Sequence, residues 1–254
     1  YGEAIARYEE ALRISPDDHE VLTNWGNALS YLARGRAGAE ADRLYAEAAG
    51  KYEPGLRVRP DSPNVFYNQA VALSYQAGQK EGAEADRLYA EAAARFADAV
   101  RARPDHFEAL RTWGRTLVFQ SERRSGAEKT RLEEAAAEKF REALRIKPND
   151  TGALALLAVL LCSLGAGRDP AERAAMTAEA EALLLRAESV RAGAGAYNLA
   201  CLFSRGGDAA RTREWLERSR ELGVLPDRAH LLGDPDLEHV RREPWFQRFL
   251  AGAG

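Results

Sequence analysis

Apolar residues recur along this chain at intervals of three and four, with Arg, Lys, Glu and Asp filling the gaps, the pattern of amphipathic α-helices rather than strands. The clearest stripe runs Ala4, Tyr8, Leu12 and then Pro16. It returns as Ala48, Tyr52, Leu56, Pro60, as Ala92, Phe96, Val100, Pro104, and as Ala136, Phe140, Leu144, Pro148. Successive copies are 44 residues apart. A fixed period of that size marks stacked supersecondary units and takes precedence over any other reading of the chain.

A second helical pattern follows each proline. Pro with Asp or Asn ends one helix and caps the next, in PDDHEVLTNWGNAL, PDSPNVFYNQAVAL, PDHFEALRTWGRTL and PNDTGALALLAVLL. These helices carry a small residue at Gly26, Ala70, Gly114 and Ala158. It lets the paired backbones approach while the aromatic residue of the partner helix fills the adjacent space. Each unit is predicted to be an antiparallel helix pair that cannot bury its apolar stripe alone. Large side chains are worth about 1.5–3 kcal/mol each once covered, so stacking of neighbours supplies the stability. The expected fold is an all-α solenoid.

The phrase GAEADRLYAEAA occurs identically at Gly38–Ala49 and Gly82–Ala93, and a third version, GAEKTRLEEAAA, at Gly126–Ala137. Gly, Ala, Glu, Arg and Leu persist through all three, whereas the Tyr is lost from the third. On that comparison the Gly starts the second helix of each pair and the Leu packs, with Tyr45 and Tyr89 as optional additions. The phrase is read as duplicated structure that lengthens the second helix by two to three turns and raises a wall beside the groove.

The segments NWGNALSY and A-x3-Y-x3-L-x3-P, with their copies, resemble the tetratricopeptide repeat (TPR), whose pattern is W-x2-L-G-x2-Y followed by A-x3-F or Y and P. The resemblance covers about residues 1–190. It departs from the family in period, which is usually about 34 residues, and the excess falls between the two helices of a pair. In that respect the chain is similar to long-period bacterial arrays, often fused to signalling or defence ATPases and effector domains. Residues 196–223 look like a standard-length repeat, and DPDLEHVRREPWFQRFL at 234–250 resembles a TPR end-of-group cap, with Leu237, Val240, Trp245, Phe246 and Leu250 as apolar plugs. The expected organisation is a partial leading repeat at 1–17, long-period units over 18–192, and a terminal repeat with cap over 193–254, in one continuous domain.

The resemblance implies a right-handed superhelix and non-catalytic protein–protein recognition through a concave groove lined by the first helix of each pair. Carried over position by position, the groove changes from polar and aromatic, through cationic, to apolar. Its expected contacts are Asn27, Tyr31, Tyr67, Asn68, Tyr75, Arg111, Arg115, Phe119 and Val159, because Tyr and Arg most often anchor interfaces. Asn27 and Asn68 match the asparagines of the chaperone-binding carboxylate clamp. Its cationic places hold Thr23, Glu108 and Thr112, so that clamp is rejected, and the expected partner is a protein or peptide, with an acidic one in keeping with the arginines. The alternative expectation is a sensor or regulatory array touching an upstream domain of its own chain, since the sequence opens on Tyr1 and enters a helix pattern at once.

Composition narrows the rest. A chain of 254 residues with 46% hydrophobic and 30% charged residues is of ordinary soluble, foldable type, and 36 basic against 39 acidic residues leave a charge of -3. That balance gives no electrostatic case for nucleic acid. The longest uncharged run, residues 151–167, is shorter than the ~20 apolar residues of a membrane span. No membrane partner is expected, and the run reads as a buried helix. Cys162 and Cys201 lie in apolar helical runs without a secretory signal ahead of them, which places the chain in a reducing, cytoplasmic setting. No His-x3-His, Cys-x2-Cys, HExxH or Walker spacing is present. No enzyme activity, catalytic residue, cofactor or metal is expected, and His19, His106, His230 and His239 read as surface or capping residues.

Overall fold

The computed structural model describes residues 2–251. All of their regular structure is helical. A leading helix α1 (Gly2–Ile14) is followed by the pairs α2 (His19–Arg34) with α3 (Gly38–Val58), α4 (Pro63–Gly78) with α5 (Gly82–Ala102), and α6 (Phe107–Ser121) with α7 (Gly126–Ile146). Then come α8 (Thr151–Gly165) with α9 (Pro170–Val190) and α10 (Ala196–Arg205) with α11 (Ala209–Glu221). A closing segment holds α12 (Arg228–Gly233), a 3-10 turn (Pro235–Leu237) and α13 (Pro244–Ala251). The chain is an all-α solenoid of helix pairs. It divides inside α7 into two compact units, one ending at Lys139 and the other starting at Phe140. None of the described helices is long and apolar enough to cross a membrane.

The helix starts show why the period is long. Asp18 caps α2 by accepting from the amides of Glu20 and Val21 at 3.0 and 3.1 Å, and Asp150 caps α8 through Ala153 at 2.8 Å. The second helices begin differently. Gly38, Gly82 and Gly126 stand at the first helical position with φ of 59, 56 and 57°, and a Cβ on any of them would meet nothing within 4 Å. The demand for glycine is therefore torsional, not steric. In the fourth pair Asp169 and Pro170 start α9 instead, with Asp169 accepting from Ala171 and Glu172. The resulting second helices have 21 residues each, against 13 in α11. That difference is about two turns.

In the first unit, Gly26 of α2 sits against Tyr52 of α3, where a Cβ would lie 2.6 Å from the ring. Close approach lets the Tyr52 hydroxyl donate to Asn27 Oδ1 at 2.9 Å and lie 3.2 Å from Ser30 Oγ. Burial pushes the Tyr52 pKa up to about 12, opposed by the Ser30 hydrogen bond. In the next pair Phe96 replaces the tyrosine, and the position equivalent to Asn27 is Val71. Hydroxyl and acceptor are lost together, so neither copy buries an unsatisfied group there.

The duplicated phrase contributes more than length. Leu44, Leu88 and Leu132 are buried as packing residues. Tyr45 and Tyr89, expected to be optional, are buried too, each only 4% exposed. Asp42 and Asp86, at the same place in the two identical copies, pair with the loop of the following unit: Lys80 Nζ reaches Asp42 at 2.7 Å and Arg124 pairs with Asp86. The hydrogen bond from Lys80 to Asp42 is the main cause raising the Lys80 pKa. In the third version Thr130 stands at that position.

The second unit centres on α8, whose Leu154, Leu157, Leu160, Leu161 and Leu164 are all buried. A further cluster joins Ala200 and Cys201 of α10 and Leu216 of α11 to Leu231, Leu237, Val240, Phe246 and Leu250 of the closing segment, with Trp245 packed against it. All five expected plugs thus face the body of that unit.

Candidate partner-binding face

Three first helices of the leading unit present equivalent aromatic residues to solvent. Tyr31 of α2, Tyr75 of α4 and Phe119 of α6 share one repeat position, and their exposures are 58%, 37% and 50%. Guanidinium groups lie between and over these rings. The Arg34 carbon is 3.8 Å from the Tyr75 ring centre and 5.7 Å from that of Tyr31, and Arg115 lies 5.9 Å from Phe119. Arg111 is 5.3 Å from Phe107. These distances are within the range in which a ring face attracts a cation.

Tyr67, Tyr75, Arg111, Arg115 and Phe119, five of the nine expected contacts, line one cavity of about 590 Å3 with Arg34. Arg34 falls outside the groove positions carried over from the family, so the sequence reading missed it. Its signal was the three-residue spacing from Tyr31, which places both on one helix face. Arg123 also borders the cavity, but it is committed: it donates to the carbonyls of Ala77, Gly78 and Lys80, groups left over where α4 ends. Arg34 and Arg115 have no carboxylate partner among the described residues.

Asn27 and Asn68 belong to a neighbouring cavity of about 500 Å3, which Tyr67 also borders. Asn27 is held by the Tyr52 hydroxyl and serves the helix pair. Tyr67 is half packing residue, its hydroxyl 3.4 Å from Thr112 Oγ and its ring 5.3 Å from that of His106. His106 departs from expectation. It occupies the N-cap position of α6 but makes no capping bond, and it is only 4% exposed. Burial, then the nearby Arg103, lowers its pKa, while Glu108, with a carboxylate oxygen 3.6 Å from Nδ1, acts in the opposite sense.

Tyr31 borders neither cavity, and its ring centre lies 5.7 Å from the Arg34 guanidinium carbon. Val159 belongs to the second unit. It is 52% exposed on α8 and borders a separate cavity of about 200 Å3 with Cys162, Tyr197, Cys201 and the closing-segment residues His230 and Asp234. The expected apolar end of the groove is thus a place where the chain's own closing segment approaches α8.

The profile of the family described as plant specific mitochondrial import receptor subunit TOM20 matches residues 2–109, less than half of the chain. No curated protein matches it. Among solved structures it is similar to PilW, a widely conserved type IV pilus biogenesis factor, at 16% identity and a TM-score of 0.60, covering 94% of this chain and 90% of that one. YrrB, a TPR protein with an unusual peptide-binding site, matches at 17% identity and a TM-score of 0.55, with 85% and 91% covered. A thermophilic TPR protein of Thermus thermophilus matches at 16% identity and a TM-score of 0.51, with 92% and 98% covered. At such identities the likeness is one of fold, and the fold of this chain is that of the tetratricopeptide-repeat proteins.

Proposed function

We propose that the face shared by α2, α4 and α6 binds an acidic peptide segment of a protein partner, without catalysis. The observation that carries this reading is the set of guanidinium groups laid over exposed rings around one cavity, above all Arg34 at 3.8 Å from Tyr75. A ring buries area at low entropic cost, and a guanidinium held flat against it keeps its outer edge directed at an incoming carboxylate. The same proposal includes long-period repeats of bacterial type ending in a cap of the end-of-group kind. It also includes a reducing cytoplasmic setting, in which the free thiols Cys162 and Cys201 persist.

The test is selection from a random peptide display library, followed by titration of the selected peptides. Peptides rich in Asp and Glu beside an aliphatic or aromatic anchor are expected. Arg111→Glu with Arg115→Glu is expected to weaken them at least tenfold, and added salt to weaken the wild-type complex. Absence of enrichment, or affinity indifferent to the charge reversal, rejects the reading.

A further inference from the structure

The cavity of about 500 Å3 beside the peptide face is bordered by a residue whose polar atoms are left unsatisfied. His106 stands at the N-cap position of α6 without making a capping bond, and it is 4% exposed. Neither of its ring nitrogens has a hydrogen-bond partner. A carboxylate oxygen of Glu108 lies 3.6 Å from Nδ1, beyond the usual hydrogen-bond range of about 2.7–3.2 Å. Buried polar groups are paired in the large majority of cases, so an imidazole with two orphaned nitrogens carries a cost that packing alone does not require. Phenylalanine would fill the same space without it.

What the ring touches gives the cost a consequence. Tyr67 packs against His106 at 5.3 Å and against Phe96 at 6.4 Å, ring centre to ring centre, and it borders both the polar cavity and the peptide cavity. Its hydroxyl, 3.4 Å from Thr112 Oγ, is a long contact that does not fix the ring by itself. The groups facing the imidazole are Arg103 and Asp105 in the turn before α6, Glu108 in its first turn, and Tyr67 from α4. His19 and Glu20 of α2 and Arg59 border the same cavity. Burial and then Arg103 oppose a charge on the ring, Glu108 and Asp105 favour one, and the first two prevail. The positive end of the α6 dipole acts in the same sense as Arg103. The packed ring therefore stays neutral below the ordinary histidine value of about 6.5, whereas a ring turned out to water titrates there. The packed arrangement is at full strength above that pH and is weakened as the pH falls through it, because the opened state binds more protons.

We propose that His106 is an acid-sensitive latch on the peptide face: neutral, it holds Tyr67 in the wall of the binding cavity, and protonated, it leaves Tyr67 and the peptide is released. The proposal rests on the acidic-peptide reading of that face, whose arginines keep their charge throughout this range. His106 acts through Tyr67 and is a positioning residue. The proton comes from solvent onto whichever ring nitrogen lacks one, and no other bond is made or broken. Linkage runs both ways, so bound peptide lowers the pH at which His106 takes up its proton.

The test uses the full chain at constant ionic strength, from about pH 7 down to about pH 4.5, where the window brackets a lowered histidine. In the first arm, without peptide, the His106 imidazole is followed by nuclear magnetic resonance. It is expected to titrate below about 6.5, and the Overhauser contacts between its ring and that of Tyr67 should fade with the same midpoint. In the second arm the probes are the acidic peptides recovered by display. His106→Phe keeps a ring against Tyr67 but takes no proton, so its pH dependence reports the peptide's own carboxylates. Across the window the wild-type affinity should fall at least about threefold more than that of His106→Phe. His19→Gln, in the same cavity, should retain the extra fall. A His106 midpoint at or above the ordinary value, ring contacts that persist after protonation, or equal pH dependence in wild type and His106→Phe overturns the latch alone. If His106→Phe does not fold, the first arm decides on the wild-type chain. A chain that selects no acidic peptide, even while the ring contacts open with acid, overturns the peptide reading and the latch with it.

Discussion

The first helices of the two units present the same repeat positions with different consequences. In the leading unit Tyr31, Tyr75 and Phe119 remain exposed, with Arg34 and Arg115 over their rings. In the second unit, α8 carries Ser163 at that position, and its Val159 and Cys162 border a cavity shared with His230, Asp234 and Asp236 of the closing segment. A solenoid leaves an outward row on every first helix, because the second helix of the pair covers only one side. Whether that row becomes a binding face depends on what the chain itself lays over it. In the second unit the closing segment approaches α8, and no arginine stands among the residues of that helix.

The sharpest way to break this comparison is to remove an anchor of the closing segment. Phe246 is fully buried among Ala200, Leu216 and Leu237. Phe246→Ala is expected to cost about 3–5 kcal/mol in chemical denaturation, the range for a large aromatic truncated in a packed core. Tyr75→Ala, on the open face, is expected to cost less, about 1–2 kcal/mol from its partly covered ring and the Arg34 contact, while weakening the acidic peptide. Equal stability losses would mean that Tyr75 is core and the leading face is not a free surface.

Much of the architecture was legible because it repeats. The prolines 44 residues apart, the small residue facing an aromatic, and the glycine at the head of three of the four long helices are local demands written several times over. The aromatic row was legible for the same reason. What escaped depended on contacts between units of the repeat or between distant segments. Asp42 and Asp86 look like ordinary surface charges until Lys80 and Arg124 of the next loop are seen beside them. His106 looks like a capping residue, but its ring lies against Tyr67 and is buried. Cys201 and Asp234 are far apart in sequence, and only the fold sets the thiol 3.8 Å from the carboxylate.

A smaller effect marks where the open face gives way to the interior of the helix pair. Tyr52→Phe leaves Asn27 Oδ1 without its 2.9 Å donor, at an expected cost of about 1–2 kcal/mol. Adding Asn27→Val reproduces the combination that Phe96 and Val71 form in the next pair, so the double variant should return to within about 0.5 kcal/mol of wild type. Peptide affinity should be untouched by either change if Asn27 serves the pair and not the partner. A double variant as unstable as the sum of its singles would show that the hydroxyl and the amide act independently.

A last effect is a pH dependence in the alkaline range. Burial raises both Tyr45 and Tyr52 from 10.0 to about 12, with the charge of Arg34 opposing the rise at Tyr45 and the Ser30 hydrogen bond opposing it at Tyr52. Between those values the folded chain keeps phenolic protons that the unfolded chain has released, so it binds more protons than the unfolded state. Stability is therefore complete below pH 10 and falls as the pH rises toward 12. Tyr197, in the second unit, is pushed higher by burial and by its hydrogen bond to Asp234, so its contribution has the same sign. Urea midpoints measured at intervals across this window should decline, and Tyr45→Phe should make the decline shallower by removing one late-titrating group from the leading unit. A midpoint constant from pH 10 to 12 would place these hydroxyls in contact with water, and the long second helices would then be more open along the duplicated phrase than their packing indicates.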